Sequence, residues 1–222
     1  MDQETIVDLR VKAEGVTVGW VVGTGCSVAP SDEALREALR GVTARAVAEA
    51  ESPAGTKRRA AVRDMLRHGC YKPTGRGKPA SEYLLREAIE GTFPLINNIV
   101  DVNNLVSLEQ LLPISLVDMD RAGTRSFAVR WGREGESYVF NASGQVLELR
   151  DLLVVSKMPD DQPCASPIKD SQATKTHEGT RVVLGVLFAP LALREAASEG
   201  ARRMADLLAG SCQARTAWGV LP

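Results

Sequence analysis

The order of patterns along the chain predicts a single α+β domain spanning residues 1–222. Three observations carry that expectation. Helical periodicities fill a helix-rich half up to about residue 115, and short β-branched runs fill a strand-rich half over about 116–190. One more helix follows at about 193–210. The 222 residues suffice to bury a core without disulfide or metal staples, and 44% apolar with 25% charged residues is ordinary for a soluble globular protein.

The elements follow in order. "TVGWVVGTGCSVAP" is apolar and β-branched before its Gly/Pro break, so it reads as a strand near 16–23. Ser31 is placed to cap a helix whose first turn carries Asp32 and Glu33, with Leu35, Ala38, Leu39 and Val42 at helical spacing. A second helix is expected over about 57–68, with Val62, Met65 and Leu66 toward the core, His68 at its C-terminal end and Gly69 as a left-handed cap. Ser81 would cap a third helix carrying Leu84, Leu85, Ala88 and Ile89 and closed by Gly91. A fourth covers "LINNIVDVNNLVSLEQLL", with Ile96, Ile99, Val100, Val106 and Leu112 on a buried face. "SFAVRW", "SYVF", "QVLEL" and "LLVVS" read as strands, the middle two joined by the hairpin signal "NASG". Residues 159–180 read as a long polar loop. "TRVVLGVLFA" is a further strand, and the last helix presents Ala196, Ala197, Met204, Leu207 and Leu208.

Several function classes lose support at once. A net charge of −1 rules out a globally basic nucleic-acid coat but not a local patch. Cysteines 26, 70, 164 and 212 form no CxxC pair, so zinc-ribbon and thioredoxin readings fall away and reduced cytosolic thiols remain. The opening "MDQETIVDLR" is acidic and lacks the apolar core of a signal peptide, which points to a cytoplasmic protein. The apolar run from Val182 to Leu193 is too short to span a bilayer. Gly23 and Gly25 lack the third glycine of a dinucleotide fingerprint. A P-loop would need Gly at Lys72 and Ser or Thr at Pro79. A Ser-His-Asp triad through His177 has no GxSxG elbow to support it, and two histidines without cysteine spacing make no metal site.

Two stretches remain. Between Lys57 and Lys78 stand eight cationic side chains and one acid, in a chain of net charge −1. A solvated helix face with a charged turn is one explanation; a phosphate-binding patch, with glycines letting backbone approach the anion, is the other. In "INNIVDVNNLVSLE", Asn97, Asn98, Asp101, Asn103 and Asn104 interrupt an apolar helix. Such residues are poor in helix interiors, and burying each one unpaired costs about 1–3 kcal/mol. Asn97, Asp101 and Asn104 share one face. Apolar residues flank each of them, which favours a polar pocket wall over a solvated face.

"KPASEYLLREAIEG", "PLINNIVDVNNLVSLEQLLPISLVDMDR", "AVRWGREGESY" and "DLLVVS", in this order, resemble the editing domain of the bacterial phenylalanyl-tRNA synthetase beta chain, and its free-standing relatives more closely. The resemblance covers about residues 55–190, and "INN-VDV-N" is its specific part. It implies a β-sandwich-like mixed sheet core with packed helices. It also implies a deacylase acting in trans on the ester of a wrongly charged tRNA, without the ATP-binding core of a synthetase. The expected partner is the tRNA acceptor end with its amino acid; no DNA, membrane, metal or cofactor is expected, and the state is monomeric. The family's Thr-Asn pair falls on Asn103 and Asn104, its histidine falls on Ser115, and its acid that reads the amino-acid side chain falls on Asp170. The replaced threonine and histidine argue against a tyrosyl ester.

On this footing Asn104 and Asp170 are the expected catalytic groups, positioning substrate or water rather than attacking. Asn97, Asn103, Ser115, Asp118 and Tyr71 are expected to bind substrate, and Arg63, Arg67, Lys72, Arg76 and Lys78 to bind tRNA phosphates. An ester is already activated, so orientation and backbone N–H groups at the oxyanion suffice for useful rates. A polar wall discriminates by hydrogen bonding, which predicts a polar or cationic amino acid such as canavanine on arginine tRNA. A non-catalytic binder of tRNA or of an amino-acid-like ligand is the alternative.

Overall fold

The computed structural model describes residues 7–222; the acidic opening up to residue 6 lies outside the described residues. In chain order the elements are β1 (Asp8–Val11), β2 (Val16–Thr24), α1 (Glu33–Glu51), α2 (Pro53–Leu66), α3 (Ala80–Glu90), α4 (Asn98–Gln110), β3 (Ile114–Asp118), α5 (Met119–Ala122), β4 (Ser126–Trp131), β5 (Ser137–Val139), β6 (Val146–Glu148), β7 (Leu153–Lys157), β8 (Gln162–Ala165), β9 (Val182–Pro190), α6 (Arg194–Cys212) and β10 (Arg215–Leu221). One antiparallel sheet runs β10-β2-β9-β3. A second runs β1-β4-β7-β8, with β1 and β4 parallel, and β5 and β6 form a hairpin.

The β10-β2-β9-β3 sheet is the middle of three layers, because its two faces are both apolar. Along β9, Val183 and Leu187 pack with the helices, beside Leu39 of α1, Leu105 of α4 and Met204 of α6. Leu184, Val186 and Phe188 point the other way, onto Phe127, Val129 and Val155 of the second sheet. That period of two makes the sandwich, and each fully buried Leu, Val or Phe contributes about 1.5–3 kcal/mol. Helix α6 lies close on β2: a Cβ added at Gly19 would sit 2.5 Å from the Ala197 carbonyl oxygen. The fold is α+β, as the sequence predicts.

The local differences have physical reasons. Asp32, not Ser31, caps α1, accepting from Leu35 N–H at 2.8 Å, and Ser31 is spent on Asp101. Helix α2 begins at Pro53 behind a Ser52 cap, because Pro fits the first helical turn. It ends before His68, which stacks on Trp131 with ring centroids 4.0 Å apart, so the histidine does not serve the helix dipole. Ser81 is buried in the first turn of α3, after Pro79, and does not cap it. Gly91 does close α3, at φ 71°. Ile89 and Ile96 are exposed, at 57% and 61%. Strand β8 and a 3-10 turn (Gln172–Thr174) occupy the stretch expected as loop. Strands β1, β3 and β10 had no clear pattern of their own.

All four cysteines are free, three of them buried. Among the described residues no helix is long and apolar enough to cross a membrane, and no group of three or more His, Cys, Asp or Glu could hold a metal.

Candidate functional site

Strand β3 sits at the edge of its sheet, so its outer backbone groups lack a strand partner. The loop after β8 covers that edge. Asp170 Oδ2 accepts from Leu116 N–H at 3.0 Å, and the Ser115 hydroxyl donates to the Ser166 carbonyl at 3.0 Å. Two further donations to the Lys169 carbonyl, from the Tyr138 and Ser166 hydroxyls, pin the loop.

Between this loop, β3, α3 and the start of α4 lies a cavity of about 520 Å³. Helix α3 contributes Tyr83, Leu84 and Glu87; α4 and its lead-in contribute Ile96, Asn97, Val100, Asn103 and Asn104. Ile114 and Leu116 of β3 form the floor, with Ile168, Lys169, Asp170, Lys175 and Thr176 opposite. The α4 residues meet there because positions three and four apart share a helix face. Asn97 also caps α4, its Oδ1 accepting from Val100 N–H at 3.0 Å.

Hydrogen-bond accounting singles out two atoms. Asn103 gives its amide to Asn104 Oδ1 at 3.1 Å, and its own Oδ1 is buried without a partner. Asp170 Oδ1 is likewise buried and unpartnered. Burial pushes the Asp170 carboxyl up to about 6, against the Ser115 hydroxyl, the Leu116 and Ser166 backbone and the Lys175 charge, which all favour ionisation. Asn104 Nδ2 makes no bond among the described residues.

The cavity therefore unites Asn97, Asn103, Asn104 and Asp170, and leaves other expected residues outside. Ser115 lies fully buried beneath the Asp170 loop. Asp118 is spent on structure: it caps α5 through Arg121 N–H, accepts the Thr180 hydroxyl at 2.6 Å, and stands 3.4 Å from His177 Nε2. Tyr71 packs in the inter-sheet cluster and donates to the Gly77 carbonyl at 2.7 Å. Asp101 turns toward Ser31 and Ile96 N–H, so of the three residues expected on one face only Asn97 and Asn104 line the cavity. That wall is mainly apolar, with a polar end, rather than polar throughout.

The basic segment splits as well. Arg63 forms a two-pronged pair with Glu82, and Arg67 pairs with Asp64 at 3.3 Å. Lys78 joins Arg59, Arg63 and Arg86 along a separate cleft of about 250 Å³. Arg76 sits on the Gly75–Gly77 turn, which Tyr83 of the cavity wall holds by donating to the Gly75 carbonyl at 3.1 Å. Lys169 and Lys175 were missed as site residues; both flank Asp170 in "SPIKDSQATKT", and their charge was the available signal.

The chain thus joins a three-layer α+β fold to a partly apolar cavity at a covered sheet edge. Residues 72–206 match the B3/4 domain, and the chain belongs to that family. Every cavity residue falls within the matched stretch. The chain is 34% identical over 125 residues to a phenylalanine–tRNA ligase beta subunit of Gloeobacter violaceus, covering 54% of this chain. It is 25% identical over 118 residues to the same subunit of Staphylococcus haemolyticus, covering 53% of this chain. Each match spans 15% of the relative's length. The resemblance carried by "INN-VDV-N" is borne out.

Proposed function

We propose that this chain is an aminoacyl-tRNA deacylase that hydrolyses, in trans, the ester of a wrongly charged tRNA. The supporting observation is that two residues lining one cavity, Asn103 and Asp170, each carry a buried acceptor without a partner. Leaving each unmade costs about 1–3 kcal/mol, so the fold carries a penalty that a donor-bearing ligand relieves. Leu84, Ile96, Val100 and Ile114 suit an aliphatic stem. An amino acid with such a stem and a donor-rich tip fits both halves, and canavanine on arginine tRNA is one candidate.

Asp170 then acts as general base. A carboxyl near 6 is ionised at neutral pH yet basic enough to take a proton from water. Leu116 N–H holds Oδ2, and Oδ1, buried without a partner, is the oxygen left to take that water once substrate binding admits it. The Asn104 amide donates to the ester carbonyl oxygen, where negative charge develops.

The deciding experiment is deacylation of a panel of purified aminoacyl-tRNAs by one enzyme preparation. Fastest turnover on a polar, stemmed amino acid is expected. Fastest turnover on tyrosyl or phenylalanyl esters overturns the substrate class and leaves the deacylase. Hydrolysis of none favours the second reading, a non-catalytic binder, which draws on the lack of any nucleophile–histidine pair among the described cavity residues.

A further inference from the structure

We propose that Arg76, Lys169 and Lys175 form a clamp for a phosphate group at the cavity, that of the 3′-terminal nucleotide carrying the ester. The proposal rests on the deacylase reading for the identity of that nucleotide, and on the side chains themselves for the phosphate.

Lys169 and Lys175 both line the cavity and both lean on Phe140. Lys175 Nζ donates to the Phe140 carbonyl at 2.6 Å, and Lys169 Nζ lies 3.9 Å from the centre of its ring. Arg76 approaches from a different segment. Its turn is tied to the cavity wall by Tyr83, and the start of α3 just after it is tied to the Asp170 loop by the bond from Ala80 N–H to the Pro167 carbonyl at 2.8 Å. Burial, then the charges of Arg76 and Lys175, hold the Lys169 ammonium below its usual value, so Lys169 feels both other cations. Among the described residues none of the three has a carboxylate in salt-bridge contact. Of the two acids on the cavity, Glu87 is taken by Arg86 and Thr92, and Asp170, whose ionised form the Lys175 charge favours, is bonded to β3 and makes no salt bridge with any of the three. Lys169 is repelled by both of its neighbours, and an anion with several oxygens relieves that repulsion while bonding more than one of the cations.

Binding, not hydrolysis, tests the clamp, so its failure is separable from failure of the deacylase reading. The probes are an RNA hairpin ending in single-stranded CCA, AMP and adenosine, titrated against the intact protein at several salt concentrations. AMP is expected to bind about 10-fold tighter than adenosine, and the hairpin tighter again. Lys169→Gln with Lys175→Gln should weaken the hairpin by about 10-fold or more and reduce the salt slope by roughly 1. Lys175→Arg should retain most of the affinity. Thermal melting checks the fold; if the double variant does not fold, Arg76→Gln interrogates the clamp from the other segment. Equal affinity for AMP and adenosine overturns the proposal, as does an unchanged salt slope in the folded variants. Binding of AMP without the hairpin supports a phosphate clamp for a free nucleotide and overturns its assignment to an RNA end.

Discussion

Helix α4 carries two buried polar groups that share residue types and differ in what they have to bond. Asn98 uses its whole amide. Its oxygen accepts from Ala29 N–H and Ile99 N–H at 3.0 Å, and its nitrogen donates to the Ser27 and Ser211 carbonyls at 2.8 Å. Asp101 likewise accepts the Ser31 hydroxyl at 2.6 Å and Ile96 N–H at 2.9 Å. Five residues beyond Asn98, Asn103 keeps a buried oxygen with no partner, and so does Asp170, which lines the same cavity. The first group latches α4 to the segment before α1 and to the end of α6. The second keeps acceptors with no partner among the described residues. Counting bonds, rather than counting asparagines, separates the latch from the candidate site.

The largest effect should come from Asp170→Asn. The amide keeps the shape and can still accept from Leu116 N–H, but it cannot take a proton, so kcat/KM for deacylation should fall by about 10²–10⁴. In the parent, kcat/KM should drop as pH falls through about 6. Stability should move oppositely. The folded carboxyl is raised from 3.8 to about 6, so its neutral form favours the fold below pH 4, and that contribution is lost as pH rises through 6. Asp170→Asn should therefore be about 1–3 kcal/mol more stable than the parent near neutral pH, with the gap closing below pH 4. Denaturant melts at pH 4 and pH 7.5 measure it. A variant that loses stability at pH 7.5 would put Asp170 with the latch.

Next is Asn98→Ala, which removes four bonds and strands two carbonyls and two N–H groups. A loss of about 3 kcal/mol is expected, with unchanged specific activity in the fraction that stays folded. Activity lost without destabilisation would erase the distinction between the two ends of α4.

The layered core was legible in the sequence because period-two runs such as "TRVVLGVLFA" and helical spacings such as Leu35, Leu39 and Val42 are local signals. Strands β1 and β10 were not. At four and seven residues they are short edge strands whose pairing comes from partners more than a hundred residues away. The site divided in the same way. Asn97, Asn103, Asn104 and Asp170 were legible as polar residues out of place in apolar or loop surroundings. Asp118 looked the same in sequence, and its bonds to Arg121 and Thr180 and its approach to His177 place it apart from the cavity. The apolar half of the cavity was invisible, because Leu84 and Ile96 read as ordinary core positions.

Asn104→Ala tests the open end directly. Its oxygen accepts one bond, from Asn103, so truncation should cost about 1 kcal/mol or less of stability. If its amide holds the ester carbonyl, kcat should fall about 10²-fold with KM little changed. Unfolding in proportion to lost activity would return Asn104 to the structural group.

The smallest effect carries the same contrast into the basic segment. Arg63 is paired with Glu82, whose side chain is 8% exposed, whereas Lys72, Arg76 and Lys78 meet no carboxylate among the described residues. A cation already committed to a buried acid has little charge to offer a phosphate, and its removal is felt by the acid. Arg63→Gln should thus cost about 1–2 kcal/mol of stability, since the pair is only partly buried, and leave RNA affinity within about threefold. Lys72→Ala, Arg76→Ala and Lys78→Ala together should leave stability almost unchanged while weakening the CCA-ended hairpin and flattening its salt dependence. Salt titrations and denaturant melts on the two variants give the comparison. If Arg63→Gln costs as much affinity as the triple variant, the Glu82 pair opens on binding and the division between committed and free cations fails at that residue.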